Sequence, residues 1–119
     1  MTRTGALRRR VDFQKVHEKG ATWMAYPLII KALPNSTNTT RFGLSVSKSI
    51  GKAVVRNRLR RRLKEIIRQM PLKPGWDIIV IARPGDPLDD FWKLRAILER
   101  LLCKANLIEG HETAGTGTY

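Results

Sequence analysis

The sequence predicts an α+β fold, a two-layer α/β sandwich in which three helices cover a sheet of three or four strands. Apolar residues recur at three- and four-residue spacings in three separate segments, the pattern of helices with one buried face. Three further segments are apolar and of strand length, one of them strictly alternating. No linker or repeat divides the 119 residues, a length at which one domain buries roughly 60% or more of its unfolded surface. A single domain over residues 1–108 is expected, with a Gly/Thr-rich, disordered tail over 109–119.

Residues 1–10 are basic and expected to be mobile at the start. Val11, Phe13, Val16 and His17 fit a short helix around Asp12–Lys19, with Gly20 in the usual role after a helix C-terminus. Trp23–Leu33 reads as one strand, and the polar run Pro34–Thr40 as a loop. Arg41–Ser47 is the cleanest strand: Phe42, Leu44 and Val46 face one way, Gly43, Ser45 and Ser47 the other. A second helix runs from about Ala53 to Met70, with Val55, Leu59, Leu63, Ile66, Ile67 and Met70 as its apolar stripe; Pro71, Pro74 and Gly75 end it. Trp76–Arg83, continuously apolar at its centre, reads as a strand buried on both faces. The last helix, Asp89–Ile108, has acids near its positive end and a stripe of Phe91, Leu94, Leu98, Leu101, Leu102 and Ala105. The predicted order is α-β-β-α-β-α.

An apolar content of 42% excludes a disordered basic tail. The longest apolar run, Ile78–Ala82, falls far short of the roughly 20 residues that span a bilayer. No apolar stretch follows the basic N-terminus, so a secretory signal is not expected. Cys103 is the only cysteine, which excludes an internal disulfide and a multi-thiolate zinc site. A cytoplasmic location is the simplest expectation.

The charge is unevenly placed. The formal net charge is +13, and Arg41–Arg68 holds ten Lys/Arg against the single acid Glu65, leaving +4 for the other 91 residues. Within the predicted helix, Arg56, Arg60, Lys64 and Arg68 recur at i, i+4, with Asn57, Arg58, Arg61 and Arg62 beside them. Like charges at that spacing repel by a few tenths of a kcal/mol per pair, roughly. A phosphate backbone reverses the sign of that term, and the arginine fork suits bidentate phosphate contacts. The segment therefore points to nucleic acid; charge alone does not separate RNA from DNA.

Other candidates are weaker. The small face Gly43–Ser45–Ser47 fits either a groove floor or a packed helix. Phe13 is compatible with stacking on a base, and more simply with core packing. Trp23, Trp76 and Trp92 read as core or core-edge residues, and Cys103 as a small packed residue. His17 has no triad or metal partner, and Asp89-Asp90 is better explained as a helix start. No Gly-rich phosphate loop and no metal-ligand spacing occurs. No catalytic or metal-binding residue is expected.

The motifs RRRVDFQKVHEKG, RFGLSVSKSIGKAVVRNRLRRRLKEIIR and WDIIVIARP, in that order, resemble the protein subunit of bacterial ribonuclease P over about Leu7–Leu107. The resemblance implies a holoenzyme in which a large RNA, using magnesium ions, removes the 5′ leader of precursor tRNA. The protein itself would bind no cofactor. It also implies a left-handed β-α-β crossover around the basic helix, which nothing in the residues predicts.

Carried onto matching positions, the resemblance implies RNA contacts at Arg56, Asn57, Arg58, Arg60, Arg61 and Arg62, with Lys48, Lys52, Lys64 and Arg68 extending them. It implies a cleft for the single-stranded leader at Phe13, Lys15, His17, Lys31, Ser45 and Ser47. The family often carries an aromatic residue at the positions of His17 and near Lys31, so charge would partly replace stacking here. The partners implied are the catalytic RNA and precursor tRNA, with no membrane. Composition alone equally allows a ribosomal or ribosome-assembly protein. A helix-turn-helix DNA binder fits poorly after two strands, and a protein-only nuclease lacks the acids and ligands it needs.

Overall fold

In the computed structural model, residues 3–86 and 88–110 are described. They form β1 (Arg3–Ala6), α1 (Arg10–Lys19), β2 (Ala21–Ala25), β3 (Leu28–Pro34), β4 (Thr39–Val46), a 3₁₀ turn (Lys48–Ile50), α2 (Ala53–Arg68), β5 (Trp76–Ala82) and α3 (Phe91–Lys104). The strands make one five-stranded sheet in the order β1-β4-β5-β3-β2. All of the expected tail beyond Gly110 lies outside the described residues.

Against an expected three or four strands the sheet has five, two more than the order α-β-β-α-β-α contains. Arg3–Ala6 pairs in parallel with Thr39–Phe42, and Leu7 continues the ladder by donating its N–H to the Phe42 carbonyl at 2.8 Å. Four residues of mixed polarity carry no strand pattern of their own; the open edge of β4 imposes one. The expected strand Trp23–Leu33 is instead a hairpin that turns at the cis peptide Tyr26-Pro27. Pro27 was the sequence signal for that break, because proline cannot donate to a ladder.

β5 is central, parallel to β4 on one side and antiparallel to β3 on the other. Its residues Ile78, Ile79 and Val80 are each at most 2% exposed, as its unbroken apolar run requires. The two sheet faces are covered unequally. On one, Leu59, Leu63, Ile66 and Ile67 of α2 and Leu94, Leu98, Leu101 and Leu102 of α3 pack on Leu28, Ile30, Ala32, Ile78 and Val80. On the other, α1 alone covers part of the sheet, with Val16 buried against Leu7 and Ile79.

The hand of the β4–α2–β5 connection follows from L-chirality. Viewed from α2 with β4 running upward, a side chain pointing at the viewer has its own N–H and C=O directed right. Phe42 packs into the core on the α2 side, and its carbonyl accepts from β1. β1 therefore lies to the right of β4 and β5 to the left. The chain crosses over α2 to a parallel neighbour on the left, a left-handed unit against the general rule.

α1 is tied down at both ends. Asp12 meets Arg41 at 3.4 Å, and Arg41 forks onto Asp77 through Nε at 2.9 Å and Nη2 at 2.7 Å. Asn35 Nδ2 donates to the same Asp77 at 2.9 Å, so the 6%-exposed carboxylate is satisfied. At the other end Gly20 has φ −77°, not the left-handed value expected of a terminating glycine. Its role is close approach: a Cβ there would stand 2.6 Å from the Val16 carbonyl oxygen and 2.9 Å from that of Ala32.

Three other expectations change. Val55 is 44% exposed, so the buried stripe of α2 begins at Leu59. Trp92 is 72% exposed and meets Phe91 edge-on at 5.1 Å; it is not a core residue. α3 starts after Asp90, whose carboxylate accepts from the Lys93 N–H at 3.1 Å. It stops at Lys104 because Asn106, at φ 60°, turns the chain back so that Ile108 bridges Leu72.

Candidate nucleic-acid interface

α2 has the amphipathic form its spacing predicts. With Leu59, Leu63, Ile66, Ile67 and Met70 buried, the remaining arc carries Arg56, Asn57, Arg58, Arg60, Arg61, Arg62, Lys64 and Arg68. Arg58, Arg61, Lys64 and Arg68 are exposed; Arg56, Arg60 and Arg62 are half-buried. Among the described residues this arc makes one ion pair, Arg68 with Glu65 at 3.8 Å, an exposed contact of little worth. Two side chains are braced locally. Arg56 Nε donates to the Gly51 carbonyl at 3.1 Å, and Arg60 Nη1 to Asn57 Oδ1 at 3.2 Å. The other guanidinium N–H groups of both have no partner among the described residues.

Lys48 and Lys52 are exposed on the approach to α2. Lys52 is the N-cap residue, makes no side-chain cap, and no acid lies in the first turn. The positive end of the helix dipole thus adds to the charge rather than being neutralised. Arg41 does not join this field. Hydrogen bonding to Asp77, partly opposed by burial, holds its guanidinium above the ordinary value, and its charge is spent inside the fold. Sequence counting placed it in the basic run.

The opposite sheet face gathers the expected cleft residues other than Lys15. Phe13 lies on Gly43 so closely that a Cβ there would be 2.4 Å from its Cζ. The small face of β4 therefore admits a packed helix at Gly43. Beyond it the face leaves room for a groove floor, because register continues it past α1. Gly43, Ile79 and Lys31 form one row across three strands, and Ser45, Ile81, Ile29 and Met24 form the next. Ser45 and Met24 in that second row are exposed. Phe13, half-buried, and His17, exposed one turn later, stand along its edge.

Lys31 lies about 10 Å from Gly43, two strand spacings away, and is half-buried. Ser47 follows at the end of the face, its Oγ accepting from the Ser49 N–H at 3.3 Å. Lys15 is not brought in: two residues from Phe13, it sits about 160° around the helix. Ile29, Ile81 and Met24, by contrast, line the open row and were missed. Their signal was the pairing register of three strands, which no single segment carries.

The β4–α2 connection joins the two surfaces: the open face ends at Ser47, and α2 begins six residues later at Ala53. Among the described residues no three His, Cys, Asp or Glu gather as metal ligands. No helix among them is long and apolar enough to cross a membrane.

Comparison with known proteins converges on one family. The family model described as Ribonuclease P matches residues 1–106. The ribonuclease P protein component of Roseiflexus castenholzii is 41% identical over 113 residues, covering 92% of this chain and 93% of the relative. That of Clostridioides difficile is 44% identical over 84 residues, 68% of this chain and 74% of the relative. The solved ribonuclease P protein of Staphylococcus aureus superposes with a TM-score of 0.78 at 29% identity, over 87% of this chain and 97% of that one. The Thermotoga maritima protein gives 0.74 at 32% identity, over 82% and 94%. The sequence motifs, the five-stranded fold with its basic helix, and these matches agree: the chain belongs to the ribonuclease P protein component family.

Proposed function

We propose that this chain binds the catalytic RNA of ribonuclease P through α2 and the 5′ leader of precursor tRNA through the open row beside α1. The observation that carries this is the segregation of the two surfaces. An arc of eight cationic and amide side chains, with one weak acidic contact, adjoins a groove of serine, methionine and isoleucine edged by Phe13 and His17. The first suits a folded phosphate backbone; the second suits single-stranded nucleotides, whose bases stack or lie on apolar surface.

In this reading the chain supplies position and field, and no reacting group. Its arginines offset phosphate repulsion where leader, tRNA and catalytic RNA converge, lowering the magnesium the complex needs. The magnesium ions belong to the RNA, and the chain acts in the cytoplasm. Gripping the leader favours precursor over product, which lacks that segment. With about six phosphates contacted, log K falls against log[salt] with a slope of roughly −4 to −5.

The test is reconstitution with a bacterial ribonuclease P RNA at low magnesium, using precursors with and without leaders. Stimulated cleavage with tighter binding of leader-bearing substrate is expected. No stimulation, together with co-sedimentation of the chain with ribosomes, would replace this reading with a ribosomal or assembly role.

A further inference from the structure

A groove of about 400 Å³ lies between α2 and the segment joining β5 to α3, on the flank of α2 away from β1. Ile50, Val55, Leu59 and Leu88 line it with apolar surface, and Val55 stays 44% exposed there. Its charged lining is divided by element: Arg58 and Arg62 come from α2, Asp86 and Asp89 from the connecting segment. Neither carboxylate appears among the ion pairs of the described residues. The opposed charges are thus held apart across an apolar floor instead of neutralising one another.

We propose that this groove takes one unstacked base of the bound RNA, with guanine preferred. The inference rests on the RNA-binding reading of α2 and adds a site to it. Phosphate is drawn to the arginine side and repelled from the two aspartates, so a nucleotide enters with its neutral base toward the acids. Guanine alone offers complementary edges to both walls. Its N1–H and N2–H₂ donate side by side to a carboxylate, while O6 and N7 accept from a guanidinium. Adenine and cytosine place an acceptor beside their amino group, and uracil places carbonyls on both sides of its N–H. The apolar lining is of the size and kind that holds small planar ligands.

The test is a heteronuclear NMR titration of the full chain with the trinucleotides UGU, UAU, UCU and UUU. Shifts of the Val55 and Leu88 amides locate the site. UGU is expected to move them with at least about fivefold higher affinity than the others, the low end of what one bidentate base pairing discriminates. In Asp86→Asn/Asp89→Asn that preference disappears while UUU binds as well or better, since two negative charges have gone. Val55→Phe, which fills the groove from the α2 side and leaves the start of α3 untouched, removes the preference independently.

Equal binding of all four trinucleotides, or a guanine preference that survives both variants, overturns the base site. Shifts confined to the outer arc of α2 also overturn it while leaving the RNA-binding reading intact. No shift anywhere sinks that reading itself.

Discussion

Replacing Gly43 by alanine separates the support of the proposed leader cleft from the stability of the fold. The new Cβ would stand 2.4 Å from Phe13 Cζ and 3.0 and 3.1 Å from Cε1 and Cε2. Carbon atoms settle at about 3.5–4.0 Å, so the ring must withdraw by roughly 1 Å or more. The clash falls on the tip of a half-buried ring, with no backbone atom among the three nearest contacts. The stability cost therefore lies at the low end of overpacking, about 1 kcal/mol, or a fall in Tm of about 4 °C. The proposed leader edge, however, loses its aromatic in register. Stacking on an aromatic is worth about 1–3 kcal/mol per base, so Phe13→Ala should weaken leader-bearing precursor by about fivefold to a hundredfold. Gly43→Ala should reach the lower part of that range. The assay pairs thermal melting with reconstituted cleavage, comparing KM for precursors with and without a leader. Both variants keeping the full leader advantage would refute the placement of Phe13 on the leader path. A fall in KM discrimination matched by equal loss on leaderless substrate would assign the effect to general misfolding.

Arg60→Ala should flatten the salt dependence of RNA binding by about one unit of log K against log[salt]; an unchanged slope with unchanged affinity removes Arg60 from the interface. Asp77→Ala strips Arg41 of its bidentate partner and loosens the link to α1. The expected loss in urea unfolding is about 2–3 kcal/mol, below that of a fully buried pair because Arg41 is part-exposed. A loss under about 0.5 kcal/mol would show that Asp12 and solvent suffice. Gly20→Ala forces a Cβ against two backbone carbonyls and should cost more than Gly43→Ala despite an ordinary φ. Equal melting of the two would contradict the close-approach account. Burial, and then Glu99, push the Cys103 thiol up. Its alkylation at about pH 8 should thus lag a free thiol and accelerate as pH rises, because the thiolate is the nucleophile; a rate equal to that of a small free thiol would contradict this.

Leu59, Leu63, Ile66, Ile67 and Met70 specify the inner face of α2 because helical period is a local property, readable wherever a segment has one dry side. The same spacing fixed which cations could face outward, so the cationic outer arc of α2 was legible before any coordinates. β5 was legible for a related reason: burial on both faces leaves an unbroken apolar run. Val55 shows the limit of this logic. Period places it on the apolar stripe, but whether a neighbour arrives to cover it depends on distant residues such as Pro84 and Leu88, and none covers it fully.

What the sequence by itself determined, then, is the class of fold, the amphipathic basic helix and the direction of its charge. Only the tertiary structure decided which cations remain available, since Arg41 is consumed by Asp12 and Asp77 from distant elements. It also decided the fifth strand, the left-handed crossover and the open row of Ser45, Ile81, Ile29 and Met24. Each of these is set by which strands pair and in what register. Register is a relation between segments, with energies spread over many cross-strand contacts, and no local pattern encodes it.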